Sequence, residues 1–297
     1  MTASLTLALW AVNMAQAPAS VAEAAARIDR RLAEAAAAGA DLLVLPEYLS
    51  EQWLAFAPSG LPETAEVAWM GGCGAELLER LHPLPARYGV ALLAGTWPVQ
   101  DRGRWVNRAH LLLPDGRVHV QDKLCLTPSE DDPEAWQLQP GDELRILAWR
   151  GLRLAVLVCL DIEQPALAAR LQAADLDLVL VPSMTRFASG HARVSGCARA
   201  RAVELTAAVA MVGCIGSVPL HPPRPNTGGA AVYLPCEPAL GHAGVAVEAL
   251  WAARTDGDGP LVLARDLPLG TVRALRHGDA EVWPGAWSAD RIRISED

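Results

Sequence analysis

The sequence predicts a layered α/β protein, in which mixed β-sheets are covered by helices, on three observations. Short, nearly continuous runs of Leu, Val and Ala, such as 41–46, 152–158 and 176–182, have the pattern of strands buried on both faces. Such runs alternate with helical stretches in two rounds, residues 1–120 and 143–265, with hairpins inserted. No linker rich in Pro, Gly or Ser and no short-period repeat divides the chain, so residues 1–267 read as one domain followed by a polar arm at 268–297. A chain of 297 residues, 52% of them apolar, is long enough to bury a substantial core.

In chain order, 5–13 is the first strand. Ser20 and Glu23 have capping-box spacing and open a helix that Gly39 closes. Residues 41–46 form a short buried strand that delivers Glu47. A loop rich in Pro, Gly and Trp covers 48–74, then a helix spans 75–88, with Pro83 and Pro85 placed to break it. Strands follow at 90–99, 106–113 and 118–123, separated by turns at Arg102-Gly103 and Pro114-Asp115-Gly116. Residues 124–141 read as a polar loop, and 143–149 with 152–159 as a hairpin about Arg150-Gly151. Pro165 suits the first position of a helix, where its missing N–H costs nothing. Strand 176–182, helix 193–207 and strands 209–215, 230–234, 245–251 and 261–267 complete the pattern.

Composition excludes several function classes. The net charge of −9 argues against nucleic acid or an anionic membrane as a partner. The six cysteines show no CxxC pair and no repeated spacing, which suits reduced thiols in the cytoplasm better than a disulfide framework or a zinc site. The seven histidines lack paired helical spacing, and Asp256-Gly257-Asp258-Gly259-Pro260 reads as a turn, so no metal is expected. No glycine-rich nucleotide loop occurs, and no cofactor is expected. The apolar N-terminus has no Lys or Arg before Arg27 and reads as a strand, not a signal peptide. No apolar stretch approaches the roughly 18 residues of a spanning helix.

One bias points to a site. Of the 25 basic residues, 24 are Arg and one is Lys, at position 123. Arg substitutes for Lys on a solvated surface, but not where a compact ammonium is required. Glu47, Lys123 and Cys159 each follow an apolar strand, and sites in α/β proteins gather at the carboxyl ends of strands. A carboxylate to take a thiol proton, a thiolate to attack a carbonyl or nitrile carbon, and an ammonium to hold the developing charge form a coherent set. Placed between a strand end and the helix at Pro165, Cys159 is expected to face solvent near the positive end of a helix dipole, both favouring the thiolate. The residue alone equally fits a small buried hydrophobe.

The segments GADLLVLPE (39–47), DKLCLTPSE (122–130) and VLVCLDIEQP (156–165) resemble the nitrilase, or carbon–nitrogen hydrolase, superfamily, in order and in local context. The resemblance continues through RARAVE (199–204) and GGAAVYLP (228–235). It implies a four-layer αββα sandwich and cofactor-free hydrolysis of a non-peptide C–N bond through a cysteine thioester. By position it makes Glu47 the general base, Lys123 the oxyanion stabiliser and Cys159 the nucleophile. The backbone N–H of Leu160 becomes a second oxyanion donor, and Glu130 a glutamate that positions substrate beside the lysine. It also implies a homodimer or higher homo-oligomer, with the 193–207 helix and the 268–297 arm as candidate contacts. The chain departs from the family pattern at Leu160, often aromatic, and at Gln164, where Phe is frequent; residues 183–187 point to no subgroup.

The expected function is hydrolysis of a small-molecule amide, in preference to a nitrile. An amide-forming acyltransferase, an isochorismatase-like hydrolase and a non-catalytic binding protein stand as rivals. Tyr48, Trp53, Trp136, Met184 and Thr185 are candidates to line the pocket. Arg186, in a loop at a strand end, is a candidate clamp for a substrate carboxylate. Cys125 is an alternative thiol that reads as packing, Asp161 and Glu163 read as caps, and Glu204 as a structural ion-pair partner of nearby arginines.

Overall fold

The computed structural model describes residues 4–250, 257–281 and 289–295. From the N-terminus, β1 (Leu5–Trp10), α1 (Val21–Ala37) and β2 (Leu42–Val44) begin the first sheet and its helical cover, followed by a 3-10 helix, Leu49–Phe56. Then come α2 (Glu63–Leu81), α3 (Leu84–Tyr88), β3 (Ala91–Asp101), β4 (Arg104–Leu112), β5 (Val118–Asp122) and the short α4 (Pro128–Asp131). The second half has β6 (Leu147–Trp149), β7 (Leu152–Val156), a 3-10 helix Cys159–Glu163, α5 (Pro165–Leu171), β8 (Leu178–Ser183) and α6 (Ala188–Glu204). It closes with β9 (Ala208–Gly213), β10 (Gly216–Val218), β11 (Arg224–Asn226), β12 (Gly229–Tyr233), β13 (Val245–Leu250), β14 (Leu261–Leu267) and α7 (Leu269–Ala274).

Two six-stranded mixed sheets result, in the orders β14-β1-β2-β3-β4-β5 and β13-β12-β9-β8-β7-β6. Each has a parallel centre, β1-β2-β3 in one and β7-β8-β9 in the other, with antiparallel strands outside. Side chains alternate across each sheet, and this assembles the layers. Leu7 and Leu9 of β1 face inward, into one core shared with Leu154, Val179 and Val209 of the other sheet. Ala8 and Trp10 face outward, against Ile28 and Leu32 of α1 and Leu77 of α2. On the opposite outer face, Val194, Ala198 and Ala202 of α6 cover the second sheet. The αββα sandwich expected from the resemblance is therefore the fold.

Several sequence expectations are corrected. Residues 48–74 are mostly helical, and Gly71 and Gly74 serve close packing inside α2: a Cβ at either would collide with the rings of Trp105 and Trp97. The helix read from 75 thus starts at Glu63, and it does break before Pro83. The first of the hairpin strands shrinks from 143–149 to Leu147–Trp149, and the loop 124–141 contains α4, capped by Thr127. The second strand stops at Val156, short of Cys159, and α6 starts at Ala188 and not at 193. The small β10–β11 hairpin had no clear alternating pattern to announce it. Trp251, at the end of the expected strand 245–251, and Asp256, at the start of the expected turn, lie outside the described residues, as do 282–288 and 296–297 of the arm.

The start of the arm folds back onto the core. Leu269, Val272 and Leu275 are buried, and Arg276 reaches inward to Asp175 and to the fully buried Asp177, which Arg273 also contacts. Arg276→Ala would leave Asp177 with one cation fewer inside the protein, and we expect it to cost about 3 kcal/mol, read as a lowered midpoint in urea unfolding.

Candidate active site

The site forms where the two sheets meet. Glu47 follows β2 by way of Leu45-Pro46, and its approach depends on Gly95, whose φ is +77: a Cβ there would strike the Pro46 carbonyl. Lys123 follows β5, its N–H donating to the Asn107 carbonyl at 2.8 Å. Cys159 opens the 3-10 helix after β7 with φ +49, a left-handed conformation that non-glycine residues adopt only under constraint from their surroundings. That constraint is partly visible in Asp161. Its buried carboxylate accepts from the N–H groups of Val158 (3.0 Å), Leu124 (3.1 Å) and Cys125 (2.7 Å), tying the cysteine turn to the segment that carries Lys123. The capping expected of Asp161 is thus present, with a wider reach than one helix.

At the centre, the Lys123 ammonium donates to Glu47 Oε1 at 2.8 Å and to Glu130 Oε1 and Oε2 at 2.9 and 2.7 Å. All three side chains are almost fully buried. Glu130 also accepts from the Tyr48 hydroxyl (2.7 Å) and from the N–H and hydroxyl of Thr127 (both 2.8 Å). Asn107 Nδ2 donates to Glu47 Oε1 at 3.0 Å, and the Met184 N–H donates to Glu47 Oε2 at 2.9 Å. The Cys159 thiol donates to the Met184 carbonyl over 3.6 Å and also interacts with the Glu47 carboxylate.

The charges separate the two glutamates. Burial pushes Glu47 up to about 7, with Glu130 adding to the shift and Lys123 opposing it. Burial also works to raise Glu130, but Lys123, Thr127 and Tyr48 outweigh it and hold the carboxyl below its usual range. Burial disfavours the Lys123 charge, yet Glu47 and Glu130 together push its pKa well above the ordinary value. Cys159 is held as the thiol: burial raises it first, then the Glu47 charge, and Lys123 does not compensate. This corrects the expected solvent-facing thiolate. The cysteine is 5% exposed, α5 begins only at Pro165, and the nearest charges include two carboxylates.

A cavity of about 350 Å³ opens onto Cys159, Lys123, Glu47 and Glu130. Leu160, Tyr48, Trp136, Met184, Thr185 and Arg186 all line it, as their positions suggested. Trp53 does not: the 3-10 turn carries it beneath the first sheet, fully buried, with its ring 6.2 Å from that of Trp97. Cys125 is also absent from the described lining, and Glu163 and Glu204 pair with Arg193 and Arg201. Sequence reading missed Asn107, although a polar residue in register with inward-facing Ala109 and Leu111 was a usable signal. It also missed Glu51, Phe187, Arg224 and Asn226 on the cavity wall, the last two carried by the unforeseen hairpin. Among the described residues no group of His, Cys, Asp or Glu is arranged to hold a metal ion, and no helix is long and apolar enough to cross a membrane.

The two packed sheets with their covering helices define a nitrilase-superfamily sandwich. Within that class, the chain belongs to the carbon-nitrogen hydrolase family, whose model matches residues 8–276. It is 28% identical over 200 residues to the probable hydrolase YhcX of Bacillus subtilis, covering 67% of this chain and 38% of that protein. It is 33% identical over 181 residues to the omega-amidase YafV of Escherichia coli, covering 60% of this chain and 64% of that protein. The chain thus spans less than two thirds of each of these curated relatives. Among solved structures, an amidase from Nesterenkonia sp. superposes with a TM-score of 0.67 at 24% identity, covering 92% of this chain and 94% of that one. Family membership sets aside the isochorismatase-like alternative.

Asp161→Ala should uncouple the cysteine turn from the lysine segment. We expect a loss of about 3 kcal/mol in urea unfolding from the orphaned N–H groups. If Glu47, Lys123 and Cys159 act together in catalysis, their displacement on the order of 1 Å should also lower turnover about 100-fold in a steady-state assay.

Proposed function

We propose that the protein hydrolyses the amide bond of a small molecule through a thioester on Cys159. The observation that carries this reading is the buried Lys123 ammonium, hydrogen-bonded to both Glu47 and Glu130 in the wall of the cavity that also holds the thiol. The amidase name of a relative favours an amide over a nitrile.

In the first half-reaction Cys159 Sγ attacks the amide carbon while Glu47 takes the thiol proton. Charge that develops on the carbonyl oxygen is met by the Lys123 ammonium, which Glu47 and Glu130 hold in place, and by the Leu160 N–H. The tetrahedral intermediate collapses as Glu47 passes its proton to the departing nitrogen, which leaves as ammonia or an amine. In the second half, Glu47 takes a proton from water, the resulting hydroxide adds to the thioester carbon, and the proton returns to sulfur as the acid departs. Glu130 stays ionised throughout, holding the ammonium in place. A thiol at rest needs a base beside it, and a carboxyl at about 7 is well matched to that transfer near neutrality.

Steady-state ammonia release with a neutral amide tests the scheme. Cys159→Ala should fall by at least about a thousandfold, and retained activity would end the thioester reading. Because the basic form of Glu47 predominates only above about 7, kcat/KM should decline about tenfold per pH unit below that point. Glu47→Gln should lose most activity together with that acid limb.

A further inference from the structure

The cavity wall contributed by the 3-10 helix Leu49–Phe56 and by β11 carries polar groups that the scheme above does not use. Glu51 lies four residues beyond Glu47, in the first turn of the 3-10 helix, lines the cavity and is 5% exposed. Its Oε2 is buried and, among the described residues, receives no hydrogen bond. The nearest cation is committed elsewhere. Arg224 donates Nη1 and Nη2 to Glu66 at 2.9 and 2.7 Å, and stands 3.9 Å from Glu51 Oε1, too far for a hydrogen bond. The Trp136 indole N–H is likewise spent on Glu66, at 2.9 Å.

A second acceptor in the same wall shares this condition. Asn226 lies two residues beyond Arg224 on β11, hence on the same side of the strand. Its Nδ2 donates to the Arg224 carbonyl at 3.2 Å, which fixes the amide orientation and leaves Oδ1 buried without a donor. Glu47 and Glu130, by contrast, have donors on both oxygens. The cavity wall therefore carries two buried acceptors, one of them acidic, that receive no donor among the described residues. Burial has raised the Glu51 carboxyl to about 7, against the pull of Arg224 and Arg186 and with the help of Glu66 and Glu47. A cation seated beside it would restore its charge.

We propose that Glu51, assisted by Asn226, is a specificity-determining residue that binds a protonated amine on the substrate, so that the preferred amides carry an alkylammonium group. This rests on the amidase reading for its chemistry, but not for its binding test. Arg186, exposed at the cavity rim, supplies the opposite expectation of a carboxylate-bearing substrate.

Two measurements on the full chain decide between them. In the first, n-butylammonium, butanamide and butyrate are titrated calorimetrically into the wild-type protein and Glu51→Gln. Butylammonium should bind more tightly than butanamide, and Glu51→Gln should remove roughly tenfold or more of that difference, as expected for one charge-assisted hydrogen bond. In the second, kcat/KM is compared for the ω-amino, unsubstituted and ω-carboxylate forms of pentanamide. The ω-amino form should be preferred, chiefly through KM, and the preference ratio should collapse in Glu51→Gln. Preference for the ω-carboxylate form, or a Glu51→Gln effect equal across all three, would overturn the proposal while leaving amide hydrolysis intact. If no amide is hydrolysed, the amidase reading falls by itself. The titration still judges Glu51: no selective butylammonium binding overturns the proposal, and selective binding lost in Glu51→Gln upholds it.

Discussion

A lysine ammonium buried between two carboxylates governs the protonation of everything around it. Taking Lys123, Glu47 and Glu130 out of water is costly for each, and only their mutual contacts make the arrangement tolerable. The set carries one negative charge too many, and the structure resolves this unevenly. Glu130 takes both hydrogen bonds from the ammonium that a carboxylate can share, plus four neutral donors, and remains ionised. Glu47 receives less and sits near 7, while the sulfur beside it keeps its proton. The asymmetry gives two chemically identical side chains different roles, one fixed in charge and one able to exchange a proton.

Much of this was legible before any coordinates. Lys123 stands out as the single lysine in a chain of arginines, and the strand-end positions of Glu47, Lys123 and Cys159 follow from apolar runs that stop at a polar residue. The α/β layering followed from the same runs, because burial on both faces leaves little choice of architecture. What could not be read depends on contacts between distant segments. Gly71 and Gly74 look like loop residues until the Trp105 and Trp97 rings are seen against them. Trp53 looks like a pocket residue until a 3-10 turn directs it under the sheet. The state of the Cys159 thiol required knowing which charges surround it, and local sequence supplied only the helix ahead of it.

Asn107 and Asp161 mark an intermediate case. Each is a buried polar residue in an apolar context, and each has an identifiable purpose: Asn107 bridges to Glu47, and Asp161 collects three backbone donors. Their burial could be suspected from sequence, but Glu47 lies 60 residues from Asn107 and Cys125 lies 36 from Asp161, and those partners could not.

The placement of the groups across the sandwich has a mechanical consequence. Glu47 and Lys123 belong to one sheet, whereas Cys159 and Met184 belong to the other. Oily contact between the layers resists separation but offers little resistance to sliding, since dispersion forces are not directional. The bond from Met184 N–H to Glu47 and those from Leu124 and Cys125 to Asp161 act as rivets through the seam. Registry between the two sheets is thereby coupled to the gap between the Glu47 carboxylate and the Cys159 sulfur. A methyl group added or removed in the interlayer packing, well away from the cleft, would be transmitted as slippage and felt there as a fault in alignment.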